Sequence, residues 1–181
     1  MAICTLKAHV SRAIDFFKKD SMYFAIAKPT TWSELDLGEE FDSNQDYEGV
    51  PPVPKNTDEL IDIIGFKKVE FRAIVIQDDS GTLEYRNTKW KVVNVADAPD
   101  LGARWVYVST YLNYDELPID RPYRQVGVFT ELVPKPEIPA GQYVLTPEQV
   151  GDMGLLEVID NRKPVYRDTD VREHIKLILE F

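Results

Sequence analysis

From Thr5 to Lys19 the apolar residues Leu6, Val10, Ala13, Ile14 and Phe17 recur at helical spacing, and Thr5 stands where a cap belongs. The spacing predicts an amphipathic helix that docks on a sheet. Met22 to Ala27 reads as a short strand, ended by Lys28-Pro29. Residues 28–55 then hold four of the twelve prolines and, between Ser33 and Gly49, seven carboxylates. This predicts one extended, proline-rich acidic loop, and in a compact domain such length goes with function. Asn56-Thr57-Asp58-Glu59 has the form of a capping box and predicts a brief helix through Leu60, Ile61, Ile63 and Ile64, stopped by Gly65.

Strands follow. Val69 to Gln77 is strongly apolar, Asp78-Asp79-Ser80-Gly81 is turn chemistry, and Thr82 to Arg86 pairs with Lys89 to Val95 across Asn87-Thr88. Arg104 to Asn113 and Gln125 to Val133 are rich in aromatic and β-branched residues, while Pro118, Pro122, Pro134, Pro136 and Pro139 fall in the connections. Thr146-Pro147-Glu148-Gln149 reads as a cap, a first-turn proline and one helical turn. The chain closes with Leu155 to Ile159, a turn at Asp160-Asn161, a short run at Val165-Tyr166, and a last strand with Ile175, Leu177, Leu179 and Phe181 on one face. The pattern predicts a mainly β (α+β) fold: one antiparallel β-sandwich domain over 1–181, with two short helices, one N-terminal and one after the acidic loop.

Composition narrows the function. At 181 residues, with 44% apolar and 29% charged, the chain can bury a core without disulfides or metal. The 21 basic against 31 acidic residues give a net charge of −10, which repels phosphate backbones and anionic membrane surfaces, and no basic run offsets it. Nucleic acid and membrane insertion are therefore not expected. Cys4 is the sole cysteine, so no intrachain disulfide can form, and no apolar run has the length of a membrane span.

Catalytic chemistry is thinly supplied. The two histidines, His9 on the predicted helix and His174 near the start of the last strand, read as partly exposed surface residues, and acid-base work by either would need a positioned partner. Cys4 and His9 are five apart, which does not align them on one helical face. No nucleophile elbow, phosphate loop, dinucleotide glycine pattern or paired-histidine motif is present. Asp42-Ser43-Asn44-Gln45-Asp46-Tyr47-Glu48 alternates oxygen ligands as a calcium loop does. Tyr47 stands where the turn glycine is needed and Val53 where the closing glutamate belongs, so a solvated acidic loop is expected instead. No catalytic residue, metal or cofactor is assigned, and the chain reads as a non-enzyme.

The aromatics point to contact rather than chemistry. Trp90 and Trp105 sit inside strand patterns and read as packing, whereas Trp32 lies among loop residues, where a partner can cover it. Lys28, Pro29, Trp32, Tyr47, Pro51 and Pro52 are accordingly candidate partner-binding residues. A sugar platform of Trp32, Tyr47 and nearby carboxylates is the rival reading of the same residues.

Three segments in order carry a family resemblance. They are YFAIAKPTTW (Tyr23 to Trp32) with GVPPVP (Gly49 to Pro54); Thr110 to Lys135, with its core Tyr123-Arg124-Gln125-Val126-Gly127-Val128; and Val158 to Phe181, with Asn161-Arg162-Lys163-Pro164. The chain resembles the baseplate wedge subunit of contractile-tailed bacteriophages, in a shortened version whose connections between Val69 and Val106 are reduced. The resemblance implies a structural, non-enzymatic virion protein of the tail baseplate, assembled in the host cytoplasm. It would pack among other baseplate and tail proteins and pair with a second copy. Arg124, Arg162 and Arg167 are candidate anchors for charge pairs with partners or with the chain's own turns. A neck or head-tail connector of the same virion, and a receptor- or carbohydrate-binding β-sandwich, are the alternatives.

Overall fold

The computed structural model describes residues 3–37, 50–54 and 56–181. The described chain is mainly antiparallel β, as its pattern predicts. Two compact units divide it: residues 1–19, 69–111 and 174–181 form one, and residues 20–68 and 112–173 form the other.

The first unit opens with helix α1, Leu6–Lys18, capped by Thr5, whose hydroxyl accepts the Ala8 N–H. Its sheet has the order β12-β6-β3-β5-β4, built from β3 (Phe71–Gln77), β4 (Leu83–Tyr85), β5 (Thr88–Val93), β6 (Trp105–Leu112) and β12 (Glu173–Glu180). On one face Ile74 and Val93 pack with Val10 of α1 and with Ala98 and Ala103 around the short helix α3, Ala98–Leu101. On the other, Ala73, Val75, Trp90 and Tyr107 form a second cluster, with Trp90 and Trp105 edge to face at 5.8 Å. The face of α1 is rotated from the predicted one: Val10, Ala13 and Phe16 are buried, Leu6 is half-exposed, and Phe17 is only partly covered. Phe16 is claimed by the C-terminal residue, whose ring lies 5.0 Å from its own.

The β4–β5 hairpin forms, but its turn falls one residue earlier than expected, at Arg86-Asn87, both at positive φ (48° and 62°), with Thr88 already paired in β5. Two left-handed residues in succession match the twist of the flanking strands. The last strand also holds: Ile175, Leu177 and Leu179 are buried, and the Phe181 N–H extends the pairing by donating to the Arg104 carbonyl at 3.0 Å.

The second unit holds the sheet β11-β7-β1-β2-β9, from β1 (Tyr23–Ala27), β2 (Gly65–Lys68), β7 (Tyr123–Thr130), β9 (Val144–Leu145) and β11 (Leu155–Val165). A two-stranded ladder joins β8 (Val133–Pro134) to β10 (Val150–Asp152). The central strand β1 pairs with both β2 and β7, placing Ala25 opposite Gly127. All five of its residues are buried. Tyr23, Ala25 and Ala27 face Phe66, Phe129, Leu132, Leu145 and Leu60. The predicted turn at Thr146 to Gln149 is a 3₁₀ turn, closed by the Gln149 side chain accepting the Thr146 N–H at 2.9 Å.

Three local expectations are corrected. No helix forms over 56–64: Asn56 and Asp62 are left-handed (φ 64° and 49°), and the backbone bonds of the segment go elsewhere. The Ile61 carbonyl accepts the Lys28 N–H at 2.7 Å, and the Ile64 N–H reaches the Ile26 carbonyl at 2.9 Å, drawing the segment alongside β1. Asp160-Asn161 is not a turn. It lies within β11, paired to Val126 and Gln125, with the register shifting only between Asn161 and Val165. The apolar run 69–77 is broken before Phe71, β2 ending at Lys68 and β3 beginning at Phe71. Within residues 28–55, Glu34–Leu37 forms a single helical turn, α2. Tyr47 and the Asp42–Glu48 string lie outside the described residues.

Candidate assembly surface

The end of β1 and the middles of β7 and β11 anchor both described flanks of the acidic segment. Lys28 has φ 58°, a left-handed conformation that costs a residue with a Cβ, and it is nearly fully buried. Its ammonium meets Asp36 at 2.9 Å and the Thr30 hydroxyl at 2.8 Å, and lies 5.8 Å from the Trp32 ring centroid. Asp36 also accepts the Ser33 N–H and hydroxyl, each at 2.7 Å. Burial pushes the Asp36 carboxyl up, but the Ser33 and Lys28 bonds outweigh it and hold the group below its ordinary range. Trp32 is thereby fixed, half-buried, on a turn braced by the Lys28–Asp36 pair.

Buried side-chain bonds join the rest. The Arg124 guanidinium, on β7, donates to the Pro29 carbonyl at 2.6 Å. Gln125, beside it, accepts the Ile61 N–H at 2.9 Å and donates to Asn161 Oδ1 at 3.0 Å. Asn161 in turn donates to the carbonyls of Pro51 and Pro52, at 3.0 and 3.3 Å. Three chain segments remote in sequence thus meet on one Gln–Asn pair.

A second clamp holds the turn after β6. Arg167 donates to the carbonyls of Asn113 (2.6 Å), Leu117 (2.7 Å) and Pro118 (3.3 Å). Glu116 accepts the Asn113 N–H at 2.8 Å and pairs with buried Lys67 at 2.6 Å. Burial pulls the Arg167 guanidinium down from its ordinary value; it pushes Glu116 up, but Lys67 and Asn113 outweigh it and depress that carboxyl. Arg162 pairs with Asp160 on its own strand at 2.8 Å.

The expected contact residues therefore divide. Lys28, Pro51 and Arg124 are buried and act inside the fold; Arg162 and Arg167 are partly covered and bonded within the chain; Pro29 and Trp32 are half-covered, and Pro52 is exposed. Sequence reasoning missed Gln125, Asn161 and Asp36. Gln125 was signalled by its place: a polar residue leading into the apolar run Val126 to Phe129 of a strand is kept there by partners. No group of three or more His, Cys, Asp or Glu side chains that could hold a metal occurs among the described residues. No described helix is long and apolar enough to cross a membrane.

These internal polar clamps fix a half-buried tryptophan and an exposed proline on a mainly antiparallel β framework. The whole chain, residues 1–181, matches the family described as baseplate wedge 3 tail fiber network component. It is also similar to Virion protein 3 of Enterococcus phage phiEF24C, 33% identical over 187 residues, covering 99% of this chain and 94% of that protein. The chain belongs to the baseplate wedge 3 tail fiber network component family and is a structural protein of the phage virion.

Proposed function

We propose that the chain is a wedge subunit that packs among other tail baseplate proteins, with the surface carrying Trp32 and Pro52 as one of its docking faces. The match of all 181 residues to the family carries this reading. On it, Lys28, Pro51 and Arg124 are positioning residues that fix the backbone presenting Pro29, Trp32 and Pro52, while Arg162 and Arg167 brace β11 and the 113–118 turn. Such a subunit works by holding shape while its interfaces form and break, since a close-packed core deforms little. It needs no cofactor, does no chemistry, and joins the particle in the host cytoplasm, alone or paired with a second copy.

Locating the chain by cryo-electron microscopy of the assembled particle tests the reading. Density for it in the baseplate wedge is expected, and density only at the neck or head-tail junction overturns it. The docking face has its own test. Because Trp32 contributes little to the buried core, Trp32→Ala is expected to leave the melting temperature of the free protein within a few degrees. The same change should sharply reduce incorporation into particles. Undiminished incorporation would remove Trp32 from the interface.

A further inference from the structure

Behind the clamp on residues 113–118 lies a cavity of about 350 Å³, lined by Val165, Tyr166, Arg167, Asp168, Val171 and Glu173. Its charges are unequally employed. The Arg167 guanidinium is turned to the carbonyls of Asn113, Leu117 and Pro118. Glu173 receives the hydroxyl of fully buried Tyr123 on one carboxylate oxygen, while its other oxygen is buried without a hydrogen-bond partner among the described residues. A buried carboxylate oxygen left unbonded is costly, and native proteins seldom leave one so without a reason. Asp168 adds a second carboxylate to the lining, and the mouth carries exposed apolar surface, with Tyr166 74% and Val171 57% accessible.

We propose that this cavity receives a basic side chain, lysine or arginine, presented by a neighbouring protein of the particle. The aliphatic stem lies over Tyr166 and Val171, and the cationic head sits against Glu173 and Asp168. Charge complementarity selects this occupant. The lining holds two carboxylates against one guanidinium, Arg167, which bonds backbone carbonyls and offsets only part of that charge through its attraction to Glu173, in a chain of net charge −10, and an exposed tyrosine ring favours a cation over it. The neighbour's being a baseplate protein rests on the proposed function, whereas the chemistry of the cavity does not.

The experiment is an NMR titration of the full-length protein with N-acetyl-arginine amide, using the norleucine and glutamate analogues as controls. The arginine probe is expected to shift the Tyr166, Val171 and Glu173 resonances, and the norleucine probe is not. Tyr166→Ala should weaken the response roughly two- to fivefold, the range of an exposed cation–π contact. Glu173→Gln should weaken it further. Because Glu173 holds Tyr123, the surface variant Asp168→Asn serves as the second charge test and should also weaken binding.

Absence of any shift with the arginine probe, or an equal response to norleucine, overturns the proposal. So does preferential binding of the glutamate probe, which would make Arg167 the recognising group. A chain located in the baseplate whose cavity ignores the arginine probe sinks this inference alone. Binding of the probe by a chain located elsewhere in the particle sinks the baseplate reading alone.

Discussion

Gln125 and Asn161 illustrate how a buried polar side chain can specify a path for the backbone. Gln125 is 2% exposed and ties the Ile61 N–H to Asn161, which holds the carbonyls of Pro51 and Pro52. Gln125→Leu keeps the volume but leaves the Ile61 N–H and part of the Asn161 amide unbonded. It should cost about 2–3 kcal/mol in urea unfolding, with the exposed neighbour Pro52→Ala close to neutral as the control. Acid should act through Asp36 and Glu116, both depressed in the fold although burial alone would raise them. A carboxylate whose folded pKa is lowered contributes stability above its unfolded pKa and loses it as pH falls through the folded value. Stability should therefore hold near neutrality and decline from about pH 4 downward. Asp36→Asn and Glu116→Gln should each lower the neutral plateau and flatten that decline. An unchanged acid limb in both variants would place the pH sensitivity elsewhere. The sequence showed Lys28 and Arg124 as notable cations but not their burial, because a cation on a loop and one folded under it have the same one-dimensional pattern.

At the scale of elements, periodicity was most readable where one face alone is buried. The alternation of Ile175, Leu177 and Leu179 with exposed His174 and Glu180 gave β12 its face, and the capping threonine gave α1 its start. Periodicity failed where tertiary bonds compete with local ones. The segment 56–64 has a helix-start signal, yet its Ile61 and Ile64 amides bond to Gln125 and to β1. Asp160-Asn161 has turn composition, yet its side chains are engaged by Arg162 and by the Pro51–Pro52 carbonyls. Gly127 is an element-level requirement: a Cβ there would meet Leu60 Cδ1 at 2.6 Å and Leu156 Cδ1 at 3.0 Å. Gly127→Val should therefore push Leu60 out of its cluster and destabilise by about 1–3 kcal/mol, with Leu60→Ala in the same chain recovering part of the loss. Failure of the double variant to recover any stability would mean that the glycine serves the strand backbone rather than Leu60. Removing Leu179 to Phe181 should cost several kcal/mol, roughly a small domain's margin, because Leu179 is buried, Phe181 packs on Phe16, and its N–H bonds Arg104. A truncated chain with a cooperative melt near that of the full-length protein would make the terminal segment a loose arm.

At the scale of the whole molecule, the question is how two compact units share one chain. Residues 1–19, 69–111 and 174–181 make one unit, residues 20–68 and 112–173 the other, so the backbone passes between them at 19/20, 68/69, 111/112 and 173/174. Neither can be cut out as a continuous piece. The sheet of the first unit needs β12 from the C-terminus beside β6, and the chain between them is the second piece of the other unit. Its α1 likewise comes from the N-terminus, with the first piece of the other unit lying between α1 and β3. Closing the loops for one unit therefore depends on where the other's residues are, and the entropy of those closures is lost once if both fold together. The expectation of a single domain over residues 1–181 becomes a measurable proposal: calorimetry should give one transition with calorimetric and van't Hoff enthalpies in agreement. Leu177→Ala provides the decisive comparison. It removes a buried side chain from the first unit only, at a cost of about 2–5 kcal/mol. If the units fold together, the variant should lower the whole transition and keep it single. If they fold independently, it should split off a low-temperature step and leave the remainder at its original temperature, and the chain would then be a two-domain protein with interleaved segments.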